Sequence, residues 1–372
     1  MDPQDVFCLN PACPARGQTG KGNIGVHSRK ERRYSCTVCG ATFAATKGTV
    51  FYRRQLSRDT IVKVITLLAY GCPRQAIVAA YEIDERTVKS LEQSAGQHCQ
   101  HVHAHLVERP RDLGQVQADE IRAKVQGGIL WMALAIQVQT RLWLGGVLGA
   151  SRDVELITTL IQKVRQCALC RALLFCVDGC AAYVGAIQHV FREPIGSGKR
   201  GRPHLRPWDG ILIAQVVKQY VQKRVVSVTR RVVQGTRAQV EAVLRQTQGG
   251  GLINSAYIER LNATFRSRLT ALVRRGRALA RQVTTLHHAM YLVGTVYNFC
   301  TYHTSLRVPL HLTHQQRRWL RRTPAIAAGI TDHRWTVQEL LSFRVPPPRW
   351  QPPRRRGRPS SAVKAIIAQW CT

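Results

Sequence analysis

The sequence predicts an α/β protein in which a mixed sheet with flanking helices follows a cysteine-rich domain and a helical segment. Three observations support this: cysteine pairs within the first 40 residues, helical periodicity over 57–105, and alternating strand and helix patterns over 115–270. The length of 372 residues indicates two or three domains. A hydrophobic content of 45% is enough for at least one sizeable core.

The first region, 1–50, is predicted to be a zinc ribbon. Its cysteines form two short pairs that are 22 residues apart: Cys8, Cys13, Cys36 and Cys39. Two such pairs suit a tetrahedral four-cysteine zinc site, with each pair forming one knuckle. The alternatives are four unrelated buried thiols, or a site in which His27 replaces one cysteine.

The next region, 51–108, is predicted to be a helix-turn-helix DNA-binding domain. Ser57 begins one helix, Pro73 opens a second, and Asp84 is placed to cap a third. The outer side of the third helix would enter the major groove through three polar residues: Arg86, Lys89 and Ser90. An ordinary three-helix packing unit has the same pattern.

The region 109–275 has the element order of a ribonuclease-H-like core. Three strands are followed by one helix, which begins after Asp153, and then by a strand with a continuous apolar run. The four predicted strands are Gln115–Val125, Ile129–Val138, Arg141–Leu148 and Ala172–Val177. In such a core the first and fourth strands are neighbours.

Three carboxylates are predicted to converge in this core. Asp119 lies on the first strand and Asp178 at the end of the fourth, where carboxylate oxygens could hold a hard cation such as Mg²⁺. For Asp178 the alternative is a simple turn with Gly179. Glu120 is expected on the opposite face of its strand from Asp119, because side chains alternate.

The third carboxylate, Glu259, lies on a predicted helix over 252–269. Its apolar face comprises Ile258, Leu261, Phe265 and Leu269. At helical spacing, Glu259 shares a stripe with Asn262 and Arg266, so Glu259 would face the metal ions while the other two follow bound DNA. Arg260 would add a phosphate contact. The alternative is the solvated face of an ordinary amphipathic helix.

The balance of 55 Lys and Arg against 21 Asp and Glu gives a net charge of +34, which indicates a nucleic-acid partner. Arg-Gly-Arg-Pro occurs in a basic insertion near 190–215 and again in a basic Pro/Arg tail, 346–372. Its arginines could enter a narrow minor groove: Arg200, Arg202, Arg356 and Arg358. The alternative is nonspecific phosphate contact.

The insertion separates Asp178 from Glu259 and leaves open whether Glu193 or Asp209 belongs to the site. A strand at 224–228 is predicted to be the fifth strand of the core. The region 276–345 is predicted to be helical, and the Pro- and Arg-rich segment 346–359 of the tail after it is predicted to be flexible and to touch DNA.

Together these motifs resemble a bacterial insertion-sequence transposase with an Asp-Asp-Glu (DDE) triad, and within that class the insertion-sequence-one lineage. Five segments carry the resemblance: ADE at 118–120, VDG with Tyr183 at 177–183, NSAYIERLNATFRSRL at 254–269, YNFCTYHTSLR at 297–307 and TPAIAAGITDH at 323–333. Nearly the whole chain is covered, and the order of the motifs is more specific than any one of them.

The resemblance implies DNA cleavage and strand transfer with Mg²⁺ or Mn²⁺ at Asp119, Asp178 and Glu259, together with structural Zn²⁺. The implied partners are element ends, target DNA and at least one further copy of the chain. Two alternatives stay open: a zinc-finger and helix-turn-helix DNA-binding protein, and a structure-specific nuclease that never joins strands.

The N-terminus lacks a secretory pattern and the longest apolar run, 128–138, is too short for a membrane span, so we expect a cytoplasmic, nucleoid-associated protein.

Overall fold

The computed structural model describes residues 2–169, 172–195, 203–222, 224–273, 279–280, 282–310, 318–352 and 357–371. The chain separates into two compact units. One comprises 1–58 together with 342–372, and the other comprises 59–341.

The first unit contains a three-stranded antiparallel sheet in the order β1-β2-β3, formed by Ile24–Ser28, Arg33–Cys36 and Thr42–Ala44. Its small core packs aromatic side chains, among them Tyr34 and Phe43, against buried cysteines. Such a small core buries little apolar surface, and domains of this size commonly need a metal ion for stability.

Three helices follow the three-stranded sheet along the chain: α1 (Arg58–Ala69), α2 (Arg74–Tyr81) and α3 (Glu85–Leu106). The Asp84 side chain accepts a hydrogen bond from the Arg86 amide, so the predicted cap of the third helix is confirmed. Val88 and Leu91, on the inner side of this helix, are buried.

The strand order predicted for the core is confirmed. The elements are β4 (Gln115–Val125), β5 (Gly128–Gln137), β6 (Trp143–Gly149), α4 (Val154–Cys167), β7 (Leu173–Asp178) and α5 (Ala181–Val190). Asp153 caps α4 by accepting from the Leu156 amide at 2.9 Å. β4 pairs antiparallel with β5 and parallel with β7, so the first and fourth strands are adjacent.

The strand predicted at 224–228 is present as part of a longer strand, but it is not the fifth strand of the core. After a hairpin of β8 (Arg192–Ile195) and β9 (His204–Pro207), β10 (Ile211–Val221) pairs parallel with β7, and β11 (Arg224–Gln234) is the edge strand. The six-stranded mixed sheet therefore has the order β11-β10-β7-β4-β5-β6. The apolar run that opens β10 is buried on both faces, yet its beginning had been assigned to the basic insertion because charged residues flank it.

The chain then forms α6 (Arg237–Gln248), α7 (Ala256–Arg268), a 3₁₀ turn (Thr270–Leu272) and α8 (Val283–Cys300). α8 is buried along most of its length and packs against α3. The two helices approach closely at Gly96, where a Cβ atom would lie 2.4 Å from the Cβ of His288.

The prediction that 276–345 is helical holds only in part. β12 (His303–Leu310) and β13 (Arg318–Arg322) form an antiparallel pair, followed by α9 (Pro324–Ala327) and α10 (Val337–Ser342). The segment YNFCTYHTSLR is therefore helical only to Cys300. Beyond Cys300 the chain forms β12, whose β-branched residues Thr304 and Val308 favour a strand.

The tail is not wholly irregular, because Ser361–Trp370 forms α11. Trp370 is buried in the core of the first unit, and its carbonyl accepts a hydrogen bond from Gln18 Nε2 at 2.7 Å. The predicted flexible, DNA-touching segment, 346–359, ends before this helix, which contributes apolar side chains to a core. None of the helices that the structure describes is both long and apolar enough to cross a bilayer.

Candidate functional site

A cleft of about 850 Å³ lies beside the middle of β4 and the end of β7. All three predicted carboxylates line it: Asp119, Asp178 and Glu259. Basic and polar side chains share its wall: Arg152, Lys218, Ser255, Asn262 and Arg266. A cleft with both acidic and basic walls suits a ligand that carries phosphate together with cations.

The pairing of β4 with β7 places the two aspartates. Gln117 lies opposite Cys176, so Asp119 and Asp178 each follow two residues later on neighbouring parallel strands. Oxygens of Asp119, Glu120 and Asp178 all lie within 4.8 Å of one another, close enough to share a metal ion.

The pKa of Asp119 reflects this crowding. Burial raises it to about 6, and the nearby charges of Glu120 and Asp178 add to the increase. A bound cation would offset the repulsion, so the donor set suits a hard divalent ion with oxygen ligands.

The N-terminus of α7 is attached to β4 by Gln117. Its Oε1 accepts hydrogen bonds from the amides of Tyr257 and Ile258, each at 3.0 Å, and its Nε2 donates to the Asn254 carbonyl at 2.7 Å. These bonds satisfy helix amides that no residue within the helix can reach. They set the position of the turn that carries Glu259.

A second attachment lies one turn further along α7. Asn262 Nδ2 donates to Asp119 Oδ2 at 2.8 Å, and the Asn262 side chain is buried. Gln117 and Asp119 lie two residues apart on β4, so both face the same helix. The prediction that Asn262 follows bound DNA is therefore corrected, because a buried amide that holds Asp119 positions the site instead.

Glu259 is half exposed. Its Oε1 accepts from Lys218 Nζ at 2.6 Å and from Ser255 Oγ at 2.8 Å. Burial alone would raise the pKa of Glu259, but these two hydrogen bonds and the charge of Lys218 outweigh burial and lower it. Glu259 thus faces the cleft as an anion, outside the closer group of three carboxylates.

Glu120 faces the opposite side of β4 from Asp119, as its position predicts, and contacts Tyr183 on α5. Arg152 then connects it to the cleft, donating from Nε to Glu120 Oε2 and from Nη2 to Asp178 Oδ2, each at 2.6 Å. Burial lowers the pKa of Arg152, but both carboxylates raise it well above its usual value. Burial, with the charge of Glu120, raises the pKa of Tyr183.

The cysteines also come together. The Sγ atoms of Cys8 and Cys39 are 3.7 Å apart, those of Cys13 and Cys36 are 3.8 Å apart, and all four lie within 4.8 Å of one another. Four thiols at such distances could hold one metal ion. His27 is exposed on β1 and outside this group.

Burial raises the pKa of Cys8 to about 11 and also raises that of Cys13. At Cys39 burial acts in the same direction, but a hydrogen bond from the Ala41 amide and other polar contacts lower the pKa to about 7.

The predicted DNA contacts are dispersed. Arg86 and Arg260 are exposed, Lys89 and Ser90 are half-buried, and Arg266 lines the cleft. Arg358 is exposed in the first unit. Three predicted contacts lie outside the described residues: Arg200, Arg202 and Arg356.

The two acidic residues left open by the sequence are not in the site. Glu193 forms an ion pair with Arg206, and Asp209 is exposed. Neither lines the cleft.

Sequence patterns assign no role to four residues of the candidate site: Gln117, Arg152, Tyr183 and Lys218. Only Gln117 carried a usable signal, since it lies two residues before Asp119 on a strand whose bounds were predicted correctly.

No protein-family model matches the chain, and no curated protein is detectably similar to it. The chemistry of the cleft is therefore the basis for assigning a function.

Proposed function

We propose that this chain is a DDE-type transposase that catalyses metal-dependent cleavage and strand transfer of insertion-sequence DNA. The observation that carries the proposal is the convergence of Asp119, Asp178 and Glu259 on one cleft in a chain of net charge +34. A chain so basic is suited to a polyanionic substrate, and clustered carboxylates are suited to the cations that phosphoryl transfer uses.

The sheet supports a ribonuclease-H-like core. Its first strand, β4, lies beside the fourth, β7, and β5 runs antiparallel to both neighbours. The two aspartates lie on the adjacent strands β4 and β7, and the glutamate comes from a later helix, α7. This is the arrangement that the resemblance to DDE transposases implies.

Asp119 and Asp178 would hold Mg²⁺ or Mn²⁺, with Glu259 facing the same cleft. When bound, the divalent ions activate the attacking oxygen and neutralise charge on the scissile phosphate. The chain itself orients the ligands: Asn262 holds Asp119, and Lys218 holds Glu259. Arg266 lines the cleft and would bind the DNA backbone.

The first unit is proposed to be a zinc ribbon. Zinc–sulfur bonds of about 2.3 Å in a tetrahedron separate the sulfurs by about 3.8 Å. The measured Sγ separations of 3.7 and 3.8 Å match this value. Helices α1 to α3 are proposed to bind element ends as a helix-turn-helix, with Arg86 at the exposed start of α3.

Single substitutions test this proposal. Asp119→Asn, Asp178→Asn and Glu259→Gln are each expected to abolish Mg²⁺-dependent cleavage and strand transfer, while gel shifts with element ends persist. Asp209→Asn and Glu193→Gln are matched controls outside the cleft and should retain activity. Full activity in any of the three cleft variants would refute the triad.

The same assay separates the remaining functions. DNA binding without any metal-dependent nicking would indicate a binding protein. Nicking without joined products would indicate a structure-specific nuclease.

A further inference from the structure

Arg152 occupies a position between two carboxylates of the acidic group. Its Nε lies 2.6 Å from Glu120 Oε2, and its Nη2 lies 2.6 Å from Asp178 Oδ2. The Glu120 side chain is 0% exposed, whereas that of Asp178 is 37% exposed and faces the cleft. One guanidinium therefore bridges a buried anion and a cleft anion, for which its planar fork of donors is suited.

The two carboxylates differ in their other contacts. Glu120 also accepts a hydrogen bond from the hydroxyl of Tyr183, so both of its oxygens are bound by protein groups. Asp178 Oδ1 accepts from the Cys180 amide at 3.0 Å, which leaves Arg152 as the cation at its other oxygen. Of the two ion pairs that Arg152 makes with these carboxylates, the one with Asp178 is the more accessible to a competing cation.

We propose that Glu120 and Asp178 form a cation-binding position that Arg152 fills, and that a divalent metal ion competes with Arg152 for Asp178. Three carboxylates within 4.8 Å of one another require a nearby positive charge. Arg152 supplies that charge until a metal ion binds. Its Nε contact to buried Glu120 then remains, and the guanidinium turns about that contact. The released Nη2 donors then face the cleft, where a phosphate is the matching partner. This inference rests on the proposed function only for the identity of the metal ion and of the phosphate that Arg152 would contact.

The test is Mn²⁺ binding to the full-length protein without DNA, measured by electron paramagnetic resonance. Arg152→Gln should bind Mn²⁺ at least about tenfold more tightly, because removing a positive charge at contact distance changes ionic equilibria by one to three powers of ten. Arg152→Lys should fall between that variant and the wild type, since one ammonium cannot bridge two carboxylates in the same way.

Arg122→Gln is the matched control. Arg122 is exposed on β4, and its loss changes the net charge equally, so Mn²⁺ affinity should change less than about twofold. If Arg152→Gln binds Mn²⁺ no more tightly than the wild type, Arg152 does not compete with metal and the proposal fails.

Loss of Arg152 leaves Glu120 buried without its cation, so thermal unfolding of each variant is measured alongside metal binding. If the Gln variant does not fold, the Lys variant decides, and its affinity must still exceed that of the wild type. A wild-type protein that binds Mn²⁺ yet joins no DNA would refute the proposed function while leaving this inference standing.

Discussion

At the scale of single residues, the cleft depends on side chains that hold its carboxylates in place. Asn262 is buried and donates to Asp119 at 2.8 Å, so it would act on the proposed metal site through another residue. Asn262→Ala should weaken Mn²⁺ binding and reduce cleavage about 10–100-fold, the usual cost of removing a group that orients a ligand. Isothermal titration and a nicking assay measure the two effects.

Ser267→Ala serves as the control for this prediction, because Ser267 is exposed on the same helix and outside the cleft. Unchanged Mn²⁺ affinity in Asn262→Ala would show that Asp119 does not need this partner.

A second residue, His103, makes stability depend on pH. Its ring lies in the core between Trp143 and Tyr291, and Nε2 lies 3.2 Å from the Leu144 carbonyl. Burial lowers the pKa of His103 to about 3. As pH falls below about 6.5 the unfolded chain takes up a proton that the folded chain does not, so stability is lost between about pH 6.5 and pH 3.

His103→Gln should therefore lose less stability than the wild type on acidification, by about 1 kcal/mol between pH 5.5 and 4.5. Urea unfolding at the two pH values measures this difference. His101→Gln, at an exposed position of α3, is the control. Identical losses in the wild type and His103→Gln would contradict a depressed pKa.

The residues of the site differ in how far the sequence predicts them. The carboxylates are recognisable because acidic residues are rare in this chain and two of them fall on or at the end of apolar strands. Arg152 is not recognisable, since nothing in the chain near it indicates that a residue before α4 reaches Glu120 and Asp178. Such a pairing depends on tertiary packing and not on local periodicity.

At the scale of elements, the contact between β4 and α7 determines where Glu259 lies. Gln117 caps the first turn of α7 from a strand more than 130 residues away in sequence, as its hydrogen bonds to Tyr257 and Ile258 show. Gln117→Leu keeps the side chain's approximate size but leaves those amides unsatisfied. Cleavage should fall at least about tenfold, because small displacements of catalytic groups are costly.

Gln137→Leu is the matched control, since Gln137 is a buried glutamine at the end of the neighbouring strand β5 and lies outside the cleft. If both variants lose activity equally, the effect reflects general destabilisation and not the position of α7.

Metal removal should release α11 from the first unit. Trp370 packs in the same small core as Cys8, Cys13 and Cys36, so losing the proposed zinc ion would weaken the interactions that hold the helix. After chelation, or in Cys36→Ser, trypsin should cleave after Lys364, and mass spectrometry detects the fragment. Cys72→Ser, outside the cysteine group, should stay resistant. Resistance of the chelated wild type would contradict this account.

The elements show why sequence patterns succeed in one place and fail in another. The sequence predicts the bounds of β4 correctly because its alternation ends at a glycine turn. It predicts β7 to within one residue at each end because a short apolar run ends at an aspartate. β10 was missed because its apolar beginning follows a basic segment and its end is exposed, so neither a buried nor an alternating pattern extends over the whole strand.

At the scale of the whole molecule, the charge of +34 is the property that favours a polyanionic partner. A protein that neutralises about 6–10 phosphates loses affinity by about 10³–10⁵ between 50 and 200 mM salt. We expect this range for duplex DNA, measured by fluorescence anisotropy. Arg266→Gln should reduce the salt slope by about one, and a slope near zero in the wild type would contradict phosphate binding.

We propose that three carboxylates from two strands and one helix act as one catalytic site. Glu259 tests it most sharply, because its carboxylate lies outside the closest acidic group and is held by Lys218. The measurement is the joining of pre-cleaved element ends, with free 3′ hydroxyls, to target DNA in Mg²⁺. We expect Glu259→Gln to lose joining at least about 10³-fold while it still binds the ends, and the exposed control Glu241→Gln to join normally. Joining by Glu259→Gln at the wild-type rate would contradict the claim.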